Sequence, residues 1–590
     1  MSQSHAASCT AILCCAFSAT VFVASSIAQE QPRQEQTRAD FSKYFELQKK
    51  VAEAPSAPLG ARRMAAAAAV KAAPSKDAVR SRLLKAQEER TPQPSAMDFV
   101  ANNPVLEEVS ASGDPEFAQV VFWNEVALRI TANDHTAPPP GSNLDTHPFE
   151  QVGPVRTSRA LAIVHIAMFE SINAVQRKFE SYKNIQQKIF QTTSLPADID
   201  ASQVSIRHAI AQAAHRALTA LYPGKTPDLN LTLAANLTAI QETPVRAING
   251  LAIGDAAANA ILDLRKLDGS EMPDPDVAGF QTTDPLKWQR DPLSLDVATA
   301  LGANWRYVKP FVLEKADVFR PPLPPPVGDS RFVAAFKEVL EKGGDPAAGM
   351  TDPPGNADRR PTPTTRTDDE TFIGKFWAYD GTALLCAPPR LYNMIATSLA
   401  LREKKDTITT ALDLARFLAL VNVALADAGI AAWEAKFCYI YPRPITMIRA
   451  ASPGMFPVDA PRPFWTPLGA PVSNGRAGRL NFSPPFPAYP SGHAVFGGAL
   501  FQMFRKYWAD PAGPAFTFVS DEFNGHNSDP GASQPRPLLP VTFPGFAKAE
   551  MDNAESRIFL GIHWRPDAEE GIIQGNKVAD YVFDHVFKPL

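Results

Sequence analysis

Three short segments in the last third of the chain concentrate side chains that bind anions and move protons. The first, Lys436-Phe-Cys-Tyr-Ile-Tyr-Pro-Arg443-Pro444, spaces two cations by close to two helical turns, so both can lie on one side of the chain. Pro442 and Pro444 would end that helix and fix the arginine on a rigid turn. The second, Pro487-Ala-Tyr-Pro490-Ser491-Gly492-His493, opens an apolar helix. Ser491 suits its N-cap, Gly492 lets a ligand approach the backbone, and the free N–H groups of a helix start attract an anion. The third is Ser556-Arg557-Ile-Phe-Leu-Gly561-Ile-His563-Trp-Arg-Pro-Asp567. It puts another cation before a histidine on a connecting loop, with Asp567 placed to hold one ring nitrogen and set the tautomer of the other. Each segment alone has a plainer reading: a solvated ion pair, a turn, a core histidine. Together they describe a pocket for a tetrahedral oxyanion, with one histidine to bond its central atom.

These residues need helices to carry them, and the apolar periodicity supplies them. Leu161, His165, Met168 and Ile172 recur at helical spacing, as do Ile206, Ile210, Ala213 and Ala217. The longest clean pattern runs from Thr407 to Phe437, where Val423, Ala426, Ile430, Trp433 and Phe437 form one face. Further helices are expected over 491–508 and 566–587, with Pro566 suited to a first helical position. Proline-rich loops are expected over 310–326, 353–363, 453–490 and 510–544. The expected fold is mainly α, a helical bundle architecture of two four-helix bundles with long Pro-rich loops. The Gly497-Gly498 pair suits close helix packing better than a phosphate loop. His165, His208 and His215 read as core or interface residues, and His135 and His147 as exposed loop residues.

Composition narrows the class. The chain has 590 residues, 45% of them hydrophobic, enough for a large core. A net charge of −4, from 58 basic and 62 acidic residues, argues against a nucleic-acid partner. The 55 prolines are about twice average usage and have no collagen-like period. Only Cys386 and Cys438 lie beyond residue 15; neither sits in a CxxC pair, which argues against a thiolate metal site and leaves one disulfide open. Cys438 reads as packed rather than reactive. Residues 1–28 contain no Asp, Glu, Lys or Arg and end in Ser-Ile-Ala, which reads as a signal peptide. No other stretch reads as a membrane span. A partly helical or flexible lead-in over 29–112 and an α-helical domain over 113–590, with its site in 376–567, are expected, in a secreted or periplasmic protein.

The pattern K-x6-R-P, P-S-G-H, S-R-x3-G-x-H-x3-D resembles the signature shared by the vanadium-dependent haloperoxidases and the type 2 phosphatidic acid phosphatase superfamily. The resemblance to fungal-type chloroperoxidases extends to Trp465-Thr-Pro-Leu-Gly-Ala-Pro471, Pro484-Pro-Phe-Pro487 and Phe376-Trp-Ala-Tyr-Asp-Gly381. It implies a vanadate cofactor bonded through its metal to His563 and held by Lys436, Arg443, Ser491, Gly492 and Arg557, with His493 as acid–base group. It further implies that Asp380 pairs with Arg557, that Asp567 supports His563, and that Trp433 and Phe486 line a halide pocket, the phenylalanine suggesting chloride. Hydrogen peroxide, halide and a small organic acceptor are then the partners; association of the chain with copies of itself stays open. Lys436 is expected to hydrogen-bond a peroxide oxygen. Pro566, directly before Asp567, departs from the family pattern and puts the reach of that carboxylate in question. An acid phosphatase is the alternative, with His563 attacking phosphorus and His493 protonating the leaving oxygen.

Overall fold

Helix boundaries follow the local chemistry. The computed structural model describes residues 114–136, 149–294, 297–350, 359–403, 406–475 and 479–590. Helix α1 (Pro115–Asp134) starts where the Asp114 carboxylate accepts the N–H groups of Glu116 and Phe117, with proline at its first position. It is followed by α2 (Pro154–Gln176), α3 (Ile185–Thr192), α4 (Ile206–Leu221), α5 (Thr226–Ala239) and α6 (Pro244–Arg265). After a long stretch of turns come α7 (Ser330–Lys342), α8 (Asp368–Phe376), α9 (Pro388–Leu401), α10 (Ala411–Tyr439) and α11 (Pro444–Ala450). The chain ends with α12 (Gly492–Trp508), a hairpin of β1 (Phe516–Asn524) and β2 (Leu538–Phe543), α13 (Phe546–Phe559) and α14 (Arg565–His585).

Helices α1, α2, α4 and α6 pack together, as do α10, α12, α13 and α14, and α10 also lies against α2. The mainly helical fold matches the expectation. One cluster of buried side chains runs from Val120 on α1 through Val421 on α10 to Val582 on α14, so the two groups of helices share a core. The segment Ala411–Ala450 is apolar enough to pass for a membrane span, a feature the sequence reading overlooked; 94% of its apolar window is buried inside the protein, as befits a core helix. The helix crossing of α12 and α14 depends on glycine: a Cβ on Gly575 would come within 2.1 Å of the Val495 carbonyl, and one on Gly498 within 2.7 Å of the Ile572 carbonyl.

Several expectations are corrected. The stretch 510–544, read as a loop, contains the antiparallel hairpin β1–β2, with Phe516 opposite Phe543 and Thr517 opposite Thr542. Its inner face begins Phe516, Phe518 and continues as Ser520, Glu522, so no sustained apolar alternation marks it. His135 is buried rather than exposed; its Nδ1–H donates to the Thr131 carbonyl and its Nε2 accepts the Gly153 N–H. Cys386 and Cys438 are both free, the first buried and the second exposed, so Cys438 is not packed. His147, the leader over 1–28 and the lead-in over 29–112 lie outside the described residues.

Candidate active site

The last two turns of α10 carry Trp433 and Lys436, both buried. The helix stops at Ile440, whose φ of +53° is left-handed, and Arg443 becomes the N-cap of α11 before Pro444. Gly561, at φ +71°, turns the chain out of α13 where a Cβ would meet the Gly343 carbonyl at 2.4 Å, and delivers His563 to the start of α14. Ser491 occupies the N-cap of α12, but its hydroxyl caps nothing and has no hydrogen-bond partner among the described residues. Its N–H donates instead to the Asp567 carbonyl, tying α12 to α14 at the site.

The three segments converge as their residue types suggested. His563 Nδ1 lies 2.9 Å from the Asp567 carboxylate, which also accepts the Trp564 N–H. Pro566 therefore does not displace Asp567: it stands second in α14 and leaves the carboxylate one residue on, at the position that reaches back. The other ring nitrogen, Nε2, accepts from Arg443 Nη1 at 2.8 Å. The ring is thus a neutral Nδ1–H tautomer with its Nε2 lone pair aimed into the site. His493 shows the opposite tautomer. Its Nε2–H donates to the Ala378 carbonyl at 2.7 Å, leaving Nδ1 as the base. Burial, with the neighbouring cations, pushes both imidazoles well below the ordinary histidine range.

Three cations surround these rings, against two carboxylates, Asp380 and Asp567. Arg443 and Arg557 are each 1% exposed and Lys436 is fully buried. Burial, reinforced by the like charge of Arg443, pushes Lys436 well down; burial brings Arg443 to about 9. Burial raises Asp380 and Asp567, opposed by the same cations. Arg557 Nη2 donates to Asp380 at 2.6 Å, whereas its Nε and Nη1 have no hydrogen-bond partner among the described residues, nor has Arg443 Nη2. Buried guanidinium groups are rarely left so, and a charged acceptor is the group that would satisfy them. Lys436 differs from expectation: its ammonium donates to the carbonyls of Pro487, Ala488 and Pro490, so all three protons are used within the loop before Ser491. It lies 5.5 Å from the Trp433 ring and 5.1 Å from that of Phe486, and the two rings stand 4.8 Å apart.

Other residues hold this arrangement and escaped the sequence reading. The segment 376–381 is anchored by the hairpin: Ser520 Oγ donates to the Phe376 carbonyl and the Asp521 N–H to the Tyr379 hydroxyl. Tyr379 sits at φ +46°, which turns Ala378 toward His493 and Asp380 toward Arg557. Behind it, Glu522 accepts from Ser473 and Arg536, all buried. Tyr392 and Asn553 both donate to the His493 carbonyl, at 3.1 and 2.8 Å. Gly492, His493, Arg557, His563 and Asp380 line one end of a cavity of about 520 Å³ that opens toward solvent.

Comparison with known proteins bears on the fold and the family. Residues 416–590 match the family model described as VCPO second helical-bundle domain. The vanadium chloroperoxidase of Curvularia inaequalis is 30% identical over 516 residues, spanning 76% of this chain and 79% of that protein. The crystal structure of a bacterial vanadium-dependent iodoperoxidase is similar with a TM-score of 0.56 at 22% identity, covering 82% of this chain and 97% of its own. An apo-type bacterial vanadium-dependent chloroperoxidase gives 0.54 at 16% identity, over 73% and 94% of the two chains.

Proposed function

The chain belongs to the vanadium haloperoxidases, and from that premise we propose that its buried cations hold orthovanadate and that it oxidises chloride or bromide with hydrogen peroxide to hypohalous acid. It is an enzyme of that type. The observation that carries the reading is the set of unsatisfied buried donors: Arg443 Nη2, Arg557 Nε and Nη1, and the Ser491 hydroxyl. Vanadate fits them, being a tetrahedral oxyanion with an acceptor at every corner. When bound, it supplies a Lewis-acidic centre at which peroxide is made electrophilic without a change of metal oxidation state.

The remaining work falls to the protein. Arg443, Arg557, Ser491 and the Gly492 backbone would hold the oxyanion's oxygens. His563 would offer Nε2 to the metal once the Arg443 Nη1 donor that now occupies that lone pair is displaced, and Asp567 keeps the proton on Nδ1. His493, fixed by the Ala378 carbonyl, would take the peroxide proton at Nδ1 as the reactants assemble and return it to a leaving oxygen. Asp380 orients Arg557. Lys436 supplies positive charge and holds the loop before Ser491; a direct bond to peroxide would need one of its carbonyl partners released. Trp433 and Phe486 give halide an apolar, poorly hydrated approach beside that charge. The charge-free apolar leader supports an exported protein.

The test is halogenation of a β-diketone by the purified protein with peroxide and chloride or bromide, with and without orthovanadate, and with phosphate as competitor. Turnover that needs vanadate and falls with phosphate is expected; the chloride-to-bromide ratio tests Phe486. A folded protein that takes up vanadate without halogenating, yet hydrolyses phosphomonoesters, would contradict the reading.

A further inference from the structure

The cavity is larger and more apolar than peroxide, halide and water require. Its inner end is the anion site, while its walls are built from Leu293, Val297, Leu301, Leu480, Phe482 and Phe486. Apart from Phe486 these side chains are half-buried: Leu293, Leu301 and Phe482 pack against the core on one side and line the concavity on the other. About 520 Å³ is within the range of sites that take small organic ligands, roughly 300–1,000 Å³. The walls are continuous with the anion site: the Leu301 carbonyl accepts the Trp433 indole N–H at 2.9 Å, and the tilted Trp433 and Phe486 rings pack together beside Lys436. Polar side chains, among them Ser294, Thr299, Thr382, Ser473, Asn474 and Arg479, share the lining. Among the described residues no methionine, cysteine or lysine lines the cavity, so an oxidant leaving the anion site meets no sulfur or amine on its way out.

We propose that this apolar chamber binds the organic molecule that accepts the halogen, and that the molecule is an electron-rich aromatic with an extended apolar ring system. The proposal rests on the peroxidase reading and deepens it at the same site. Hypohalous acid formed at the inner end transfers its halogen to a ring carbon. The carbon–halogen bond forms as the oxygen–halogen bond breaks, and the displaced ring proton joins the released hydroxide to give water. The ring is held by apolar contact and by exclusion of water from the walls.

The experiment sets 2-naphthol against 4-hydroxybenzenesulfonate as competing acceptors of the vanadate-loaded enzyme. The product ratio is compared with that from reagent hypohalous acid in the same buffer. The enzyme is expected to favour 2-naphthol over the reagent ratio by about tenfold or more. Val297→Arg and Leu480→Arg are each expected to bring the ratio back to that of the reagent. Calorimetric titration of 2-naphthol into the vanadate-free protein should give saturable binding at one site, weakened about tenfold by either variant. A wild-type ratio equal to the reagent's, or no saturable binding, overturns the proposal and leaves the peroxidase reading intact. No halogenation of either phenol overturns both. The wild-type ratio decides even where a variant fails to fold.

Discussion

Arg536 and Arg557 lie on opposite sides of the same short segment, 376–381, and are equally buried, yet their partners differ. Arg536 donates through Nη1 to Glu522 and Ser473, and through Nε and Nη2 to Asp529. Among the described residues Arg557 makes one bond, to Asp380, and leaves two nitrogens unsatisfied. The first region is a closed ionic network that fixes the hairpin against the Tyr379 turn. The second is half of a network whose other half is a ligand. Burial alone does not mark a functional cation; burial with unspent donors does.

That contrast can be broken from either side. Arg536→Met strands the Glu522 carboxylate in the interior and is expected to cost about 3–5 kcal/mol of folding stability, read as a lower denaturant midpoint. Turnover per folded molecule should fall far less than in variants of the anion pocket. Arg557→Met is expected to lose about 10²–10³-fold in vanadate-dependent halogenation; it strands the Asp380 carboxylate but also relieves repulsion on Arg443 and Lys436, so its stability cost should be smaller than that of Arg536→Met. If Arg536→Met lost activity without stability, or Arg557→Met stability without activity, the contrast would fail. A smaller effect sharpens it in the first group of helices. Glu170 is fully buried on α2, accepting from Tyr182 N–H and Ser181, and burial raises it to about 8. A carboxyl whose folded value lies above its unfolded value favours folding at low pH and loses that contribution as pH rises through 4.5 toward 8. Denaturant midpoints should therefore fall over that window, and Glu170→Gln should remove a slope on the order of a few kcal/mol. An unchanged slope would show that Glu170 stays ionised in the fold.

Much of the site was legible because its residues sit in three compact segments punctuated by proline and glycine. Pro442, Pro444, Pro490 and Gly561 mark where helices end or begin, and the chemistry sits at those ends. The spacing of Lys436 and Arg443, and of His563 and Asp567, is local information. Asp380 became visible only through resemblance to a family, since its partner Arg557 is 177 residues away. Glu522 and Arg536 were invisible: each is an ordinary charged residue in a stretch rich in turns, and only the hairpin brings them together over Ser473. Ser491 was half legible. Its N-cap position follows from sequence, whereas its failure to cap, which frees the hydroxyl, depends on how α14 packs against the start of α12. The carbonyls that absorb Lys436 lie in a loop whose path no periodicity describes. Membership of the two helix groups in one core was equally hidden, because contacts such as α2 on α10 join segments far apart in the chain.

The most direct measurement is thermal unfolding of wild type and Arg557→Met with increasing orthovanadate, repeated with phosphate present. A ligand that binds only the folded state adds about 2.7 kcal/mol at a hundred times its dissociation constant. The wild-type Tm should rise by several degrees, phosphate should cut that rise by competition, and Arg557→Met should show none at the same concentration. A wild-type Tm indifferent to vanadate, or an equal rise in both proteins, would contradict the assignment of the unspent donors to an oxyanion.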